Sequence, residues 1–399
     1  MKKTLEKLKK VIVVMALSCA MMLSPFALAV PVAAEEADGG NQSNKRVIVT
    51  LGDSYSSGEG MNEYYGQFRE DGTEKSAAEK VKDPDWIAHR SPKSWAAGLK
   101  LDGKPLVKGD NWYFVAATGA TTKNLKNPQE RKYAYHGQSG TATLPAQLDV
   151  FDHIDGQVAA VTVTIGGNDA GFADIIKVAV EDTLTKGNGL KAKIDKLTVD
   201  LNNSDSEIQS NIRQAYKDIC EAAGSAPVIV IGYPYLMYRE AKEIPIYINN
   251  TTIARLTKEQ IKQINSVYEL LNRRMSNLIS VLQKDGYENL TFLDMASSSR
   301  KHGLGSGAAS YIGEIRIAPS LSEDYSSTLT AISSSLHLNE KGSELYTSKV
   351  QDEIDSLELS NRGTVFLDGR FMIGAVGVSA VLVVCAVVFY RKRKLQPNK

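Results

Sequence analysis

The chain has 399 residues, enough for two or three domains, and 23% of them are charged. Residues 1–10 carry a net charge of +4 and residues 391–399 carry +5, so the formal total of +1 leaves −8 on residues 11–390. A mildly acidic body excludes nucleic acid as a partner, because phosphate binding needs clustered lysines and arginines. Of the three cysteines, Cys19 lies in the uncharged N-terminal segment and Cys385 in the uncharged C-terminal one, so Cys220 has no intrachain partner between them and a packed core must replace disulfides.

The N-terminal end is predicted to be a secretory signal peptide. Residues 1–10 hold five lysines, residues 11–30 have no charge, and small residues precede Ala29 and Ala34, the two expected cleavage points. A retained signal anchor is the alternative. A polar, Gly- and Asn-rich linker over residues 35–45 follows.

The C-terminal end is predicted to be a membrane anchor. Residues 371–390 form an uncharged run that, at about 1.5 Å per residue, is long enough to cross a hydrocarbon core of ~30 Å. The basic tail, residues 391–399, should stay cytoplasmic. We therefore expect a single-pass cell-membrane protein with its body outside, comprising a folded domain at 46–357 and a juxtamembrane linker at 358–370.

The body alternates short β-rich runs with amphipathic stretches. The runs are Val47–Leu51, Trp112–Ala116, Ala159–Ile165, Val228–Ile231 and Leu290–Leu293. The stretches are Thr143–His153, Gly171–Thr183, Ser206–Ala223, Lys258–Lys284 and Asn339–Leu357. This alternation predicts right-handed βαβ crossovers and a parallel sheet with helices on both faces.

Three connections are longer than ordinary loops: Gly60–Arg90, Lys186–Ser206 and Tyr233–Leu256. The first and third follow strand ends at the edge where open α/β sheets bind ligands, so each is either a wall of a substrate cleft or a surface insertion. The apolar run 244–248 could be a lipid-facing wall or an ordinary strand.

Residues suited to acyl-transfer chemistry follow the predicted strand ends. Ser54 comes directly after the first strand, Gly119 follows the second, Asn168 follows the third, and His337 opens the last helix. A serine, a glycine N–H, a side-chain amide and an imidazole can serve as nucleophile, two oxyanion donors and general base for attack on an ester carbonyl. Taken alone, Ser54 in a turn is also consistent with a simple Asx-turn or helix cap.

These segments resemble the four blocks of the SGNH/GDSL hydrolase superfamily over residues 46–357. The strings GDSYSSGEG at 52–60, HRSPKSW at 89–95 and IGGNDAGF at 165–172 are similar to a subgroup of secreted actinomycete lipases and esterases. The resemblance implies a flavodoxin-like three-layer α/β/α domain with a five-stranded parallel sheet of order 2-1-3-4-5.

The resemblance also implies roles for particular residues. Ser54 would be the nucleophile and His337 its base, while the N–H groups of Ser54 and Gly119 and the amide of Asn168 would form the oxyanion hole. Many members place an aspartate three residues before the histidine, where this chain has Ser334. We expect the backbone carbonyl of Ser334 to orient the imidazole, giving a Ser-His dyad, with a carboxylate at Asp294 as the alternative.

The resulting hypothesis is an extracytoplasmic, membrane-tethered serine esterase or lipase that hydrolyses acyl lipid esters. No metal or organic cofactor is expected, and the remaining histidines, His89, His136, His153 and His302, lack metal-site spacing. An O-acetyl esterase acting on cell-wall polysaccharide is the alternative substrate class. A non-catalytic surface-binding protein on the same scaffold is an alternative of another kind.

Overall fold

The computed structural model describes residues 45–319, 329–331 and 335–365. In these ranges the strands are β1 (Arg46–Gly52), β2 (Lys100–Leu101), β3 (Lys104–Pro105), β4 (Trp112–Phe114), β5 (Gln129–Tyr135), β6 (Gln138–Leu144), β7 (Gln157–Thr164), β8 (Val228–Ile231), β9 (Glu243–Ile248), β10 (Thr251–Thr257), β11 (Leu290–Leu293), β12 (Ile315–Pro319) and β13 (Leu329–Ala331).

The α-helices in the same ranges are α1 (Ser54–Ser57), α2 (Ala77–Lys80), α3 (Pro84–Ile87), α4 (Phe172–Thr185), α5 (Gly189–Asn202), α6 (Glu207–Ala223), α7 (Lys258–Lys284), α8 (Met295–Ser299) and α9 (Glu340–Val365). Short 3-10 helices occur at Trp95–Gly98, Thr122–Leu125, Gln147–His153 and Gly307–Ala309. The predicted signal peptide, the predicted span at 371–390, the basic tail and Ser334 all lie outside the described residues.

The central sheet is parallel and contains the five predicted strands. Its order is β11-β8-β7-β1-β4, which is 2-1-3-4-5 when these strands are numbered along the chain. All four residues of β8 are buried, as expected for a central strand whose two faces are both covered. The predicted α/β class and strand order are therefore confirmed, and the carboxyl ends of β1, β4 and β7 lie side by side.

Helix α7 shows how the sequence determines a helix in this fold. Thr257 and Gln260 form a capping box at its start, each side chain pairing with the other's backbone N–H. Its apolar residues recur at intervals of three or four, and side chains such as Ile261, Ile264 and Tyr268 are buried. The observed bounds, Lys258–Lys284, are those predicted.

Helix α5 corrects one prediction. The stretch 186–206 was predicted as a long connection, yet it contains a helix whose buried residues are Leu190, Ile194, Leu197 and Leu201. Their spacing places them on one face, and this face packs against α4 and α7. The polar residues of the opposite face obscure this apolar spacing in the sequence.

A second, four-stranded sheet occupies the region between β8 and the last helix, in the order β10-β9-β12-β13. Strand β9 contains the apolar run 244–248, and Ile244 and Ile246 are buried in the core. That run is an ordinary strand rather than a lipid-facing wall. Helix α9 continues to Val365, past the predicted end of the folded domain at 357.

Candidate active site

Ser54 stands at the carboxyl end of β1, on a turn that the surrounding backbone fixes tightly. Gly52 has φ +123°, and a Cβ there would lie 2.3 Å from the carbonyl oxygen of Thr164, so this position needs glycine. The Gln147 side chain accepts from the Gly52 N–H at 2.7 Å and donates to its carbonyl at 2.9 Å. Asp53 caps α1 by accepting from the N–H of Tyr55 at 3.0 Å, so Ser54 is the first residue of the helix.

His337 lies opposite Ser54, on the loop that precedes α9. The Nε2 atom of His337 is 2.9 Å from the Oγ atom of Ser54, although 283 residues separate them in the chain. The Gly313 N–H donates to the His337 carbonyl at 2.8 Å, and the Tyr55 hydroxyl donates to the Leu336 carbonyl at 2.8 Å. These bonds hold the imidazole where Nε2 can take the Ser54 proton.

Backbone strain accompanies this arrangement. Leu336, which has a side chain ill suited to the left-handed region, adopts φ +62° directly before His337. Such a conformation costs of the order of 1–3 kcal/mol and persists where neighbouring contacts impose it. The contacts here are the hydrogen bonds of Leu336 to Gly313 and Tyr55.

Of the two predicted imidazole orienters, the structure describes Asp294. Its side chain is exposed and caps α8, accepting from the N–H of Ser297 at 3.2 Å and from the Ser297 hydroxyl. This gives Asp294 a local structural role. Ser334 lies outside the described residues.

The predicted oxyanion donors occupy adjoining turns. Gly119 has φ +73°, and the Asn168 Nδ2 donates to the carbonyl of the next residue, Ala120, at 2.8 Å. A second link joins the same turns, because the Asp169 carboxylate accepts from the Thr122 N–H at 3.0 Å and from its hydroxyl. The structure therefore brings Asn168 to the Gly119 turn, as the order of the sheet requires.

Asp53 and Tyr233 form a buried network that the sequence analysis missed. The Tyr233 hydroxyl donates to Asp53 Oδ2 at 2.5 Å, and the Thr164 hydroxyl donates to Asp53 Oδ1 at 2.7 Å. Burial raises the pKa of Asp53, and the hydrogen bonds from Tyr233, Thr164 and Tyr55 offset part of that rise. The resulting pKa is about 6.

The chain is similar in sequence to lipases of Streptomyces. No family model matches the chain. Lipase 1 of Streptomyces coelicolor is 26% identical over 260 residues, which are 65% of this chain and 73% of the relative. A lipase of Streptomyces rimosus is 28% identical over 186 residues, 47% of this chain and about half (52%) of that relative. These relatives support a carboxylic ester hydrolase that is similar to the actinomycete SGNH lipases and esterases.

Two solved structures are similar to this chain. The extracellular lipase of Streptomyces rimosus has a TM-score of 0.48 and 20% identity, covering 78% of this chain and 99% of the other. Phospholipase A1 of Streptomyces albidoflavus has a TM-score of 0.48 and 23% identity, covering 79% and 99%.

The predicted location in the cell membrane is corrected by these findings. The solved Streptomyces rimosus lipase is an extracellular protein. Among the helices that the structure describes, none combines the length and the apolar character that a membrane crossing requires. Helix α7 has 27 residues, but it is amphipathic.

A buried ion pair beside the nucleophile was also missed. Glu59 is 4% exposed and its backbone N–H donates to the Ser54 carbonyl at 3.1 Å. Its Oε2 lies 2.6 Å from Nδ1 of His89, a histidine to which the sequence analysis had assigned no site. The glutamate within GDSYSSGEG could have predicted such a contact, because a carboxylate held next to a buried turn needs a partner.

Proposed function

We propose that this SGNH hydrolase cleaves acyl lipid esters through a Ser-His dyad, within a catalytic domain that begins at residue 46. Ser54 is the nucleophile and His337 the general base, while the N–H groups of Ser54 and Gly119 and the Asn168 amide bind the oxyanion. The observation that carries the proposal is the 2.9 Å approach of His337 Nε2 to Ser54 Oγ at the carboxyl edge of the sheet.

The chemistry follows from these positions. His337 takes the proton of Ser54 as Oγ attacks the ester carbonyl, and the carbonyl oxygen becomes an oxyanion that the three donors stabilise. Collapse of the tetrahedral intermediate breaks the ester C–O bond, and His337 gives its proton to the leaving alcohol. Water, deprotonated by His337, then attacks the acyl-enzyme, which releases the acid and restores the Ser54 hydroxyl.

Lipid esters are the substrate class favoured by the curated relatives, which are both lipases. A small cavity adjoins Ser54, and its lining includes apolar side chains of Met61, Trp95 and Leu338.

The test is a panel of p-nitrophenyl esters with acyl chains from acetyl to palmitoyl, run on the full-length chain. We expect turnover on the longer acyl chains, and its loss in both Ser54→Ala and His337→Ala, because removal of either member of such a unit costs nearly the whole rate. His153→Ala, which changes an exposed histidine, is the matched control and should retain activity.

Two results would contradict the proposal. Turnover by Ser54→Ala at the wild-type level would exclude Ser54 as nucleophile. Activity confined to acetyl esters would instead indicate the O-acetyl esterase, and a folded chain with no turnover on any ester would indicate a binding protein.

A further inference from the structure

Glu59 lies where two segments of the site meet. Its backbone N–H donates to the Ser54 carbonyl, and its Oε2 lies 2.6 Å from Nδ1 of His89. Its remaining oxygen, Oε1, lies 3.5 Å from the Tyr64 hydroxyl. The His89 loop is bonded in turn to the oxyanion turn, because the N–H of Thr118, the residue before Gly119, donates to the Ala88 carbonyl at 3.0 Å.

We propose that Glu59 is a positioning residue for the reacting pair, Ser54 and His337. Its contact with His89 holds the loop whose Ala88 carbonyl accepts from Thr118, beside Gly119, and its carboxylate sets a fixed negative charge on the His337 side of the site. The proposal rests on the function proposed above and adds a residue to which the roles of nucleophile, oxyanion donor and base are not assigned.

The carboxylate is ionised at neutral pH despite its burial. Burial by itself raises the pKa of Glu59, but the charge and hydrogen bond of His89, the charge of His337 and the Thr118 hydrogen bond outweigh it and lower the pKa to about 2. The titratable groups that face the carboxylate are thus His89, His337 and Tyr64.

His89 is held firmly against this carboxylate. Its backbone has φ +53°, an uncommon conformation for a residue with a side chain. Its ring stacks on Tyr64 with centroids 4.5 Å apart and meets the edge of Trp86 at 6.0 Å. The next residue, Arg90, donates to the carbonyls of Ala116 and Val115, which ties this loop to the chain leading into the Gly119 turn.

A negative charge near His337 matters most when the imidazole is protonated. In the transition state His337 carries the proton taken from Ser54, and a fixed negative charge in a water-poor site stabilises that cation. Glu59 lines the same cavity as Ser54 and Leu338, the neighbour of His337, so it acts through its field and through the loop that contains His89.

The test compares Glu59→Gln with His89→Asn in the full-length chain. Asparagine tolerates the positive φ at position 89, so the backbone should be kept. Glu59→Gln should lower kcat about 10- to 100-fold with KM within about threefold, because the loss is confined to the transition state. The acid limb of the pH profile of kcat/KM reports the pKa of the general base, His337. Glu59→Gln should move that limb to lower pH by about 0.5 to 1 unit.

His89→Asn should move the acid limb the opposite way, since it removes the partner whose interaction offsets part of the Glu59 charge. Asp218→Asn is the matched control. Asp218 is also a buried carboxylate with a basic partner, Lys126 at 2.6 Å, but neither residue belongs to the site. This variant should leave kcat and the acid limb unchanged.

The inference is overturned if a folded Glu59→Gln keeps kcat within about threefold and leaves the acid limb in place. Should Glu59→Gln fail to fold, an unmoved acid limb in His89→Asn overturns it equally. Labelling with a fluorophosphonate separates this result from failure of the proposed function. Glu59→Gln should react slowly with the label, and Ser54→Ala should not react. A wild-type chain that does not react would refute the dyad itself.

Discussion

The hydroxyl of Tyr233 donates to the Asp53 carboxylate at 2.5 Å, across 180 residues of chain. The same hydroxyl accepts from the backbone N–H of Gly167 at 2.7 Å. Asp53 caps the helix that begins with Ser54, and Gly167 precedes Asn168. One buried oxygen atom therefore connects the nucleophile turn with the turn that carries a proposed oxyanion donor.

Tyr233→Phe should destabilise the fold, because it leaves the buried Asp53 carboxyl and the Gly167 N–H without this partner. We expect the free energy of unfolding to fall by about 1–3 kcal/mol in urea titrations. Tyr216→Phe is the matched control, since the buried Tyr216 hydroxyl has no hydrogen-bond partner among the residues that the structure describes. Tyr216→Phe should leave the free energy of unfolding unchanged. Equal decreases in the two variants would show that the hydrogen bonds of the Tyr233 hydroxyl contribute nothing to stability.

The pH dependence of stability should reveal the buried carboxyl of Asp53. Its pKa rises from 3.8 to about 6 on folding, so between these values the folded chain holds a proton that the unfolded chain has released. This contribution to stability is complete below the unfolded pKa and is lost as pH rises through the folded one.

Asp53→Asn removes that titration. The difference in free energy of unfolding between the wild type and Asp53→Asn should therefore decrease as the pH rises from 4 to 7 and then stay constant. At 1.36 kcal/mol per pKa unit, the decrease amounts to about 3 kcal/mol at most. Unfolding curves in urea at several pH values measure the difference. Parallel pH dependences of the two proteins would contradict it.

Gly119→Ala should impair catalysis more than stability. A side chain at φ +73° is strained by about 1–2 kcal/mol, and its Cβ would lie 2.9 Å from Nη1 of Arg131, so the N–H should turn away from the oxyanion. Loss of one such donor costs of the order of 10²- to 10³-fold in kcat.

Gly72→Ala provides the control for this strain. Gly72 has φ +80° on an exposed loop, and a Cβ there meets nothing within 4 Å. Both variants should lose similar stability in urea titrations, while Gly72→Ala keeps full kcat. A Gly119→Ala enzyme of normal kcat would remove Gly119 from the oxyanion hole.

The sheet could be predicted from sequence because its signals are local. Each strand, such as β8 at Val228–Ile231, is a short apolar β-branched run, and crossover handedness leaves few ways to order five such strands. The order then places the strand ends near Ser54, Gly119 and Asn168 together. The four-stranded sheet escaped prediction because β9 pairs with β12 across a long separation in the chain.

The supporting residues of the site were missed for a different reason. Tyr233 and His89 act through partners that are distant in sequence, Asp53 and Glu59, and no spacing rule links such pairs. The spacing of His89 in the sequence indicates no metal site, and its Nδ1 contacts the carboxylate of Glu59 instead.

Asp294→Asn tests whether a carboxylate orients His337. In the structure Asp294 caps α8 through Ser297, and asparagine caps helices about as well as aspartate. We therefore expect stability within about 0.5 kcal/mol of wild type and kcat within about threefold on the best ester of the panel. Ser334→Ala should also be mild, since a backbone carbonyl survives that substitution. Loss of a true triad carboxylate costs about 10⁴-fold, so a fall of that size in Asp294→Asn would replace the dyad by a triad while leaving Ser54 as nucleophile.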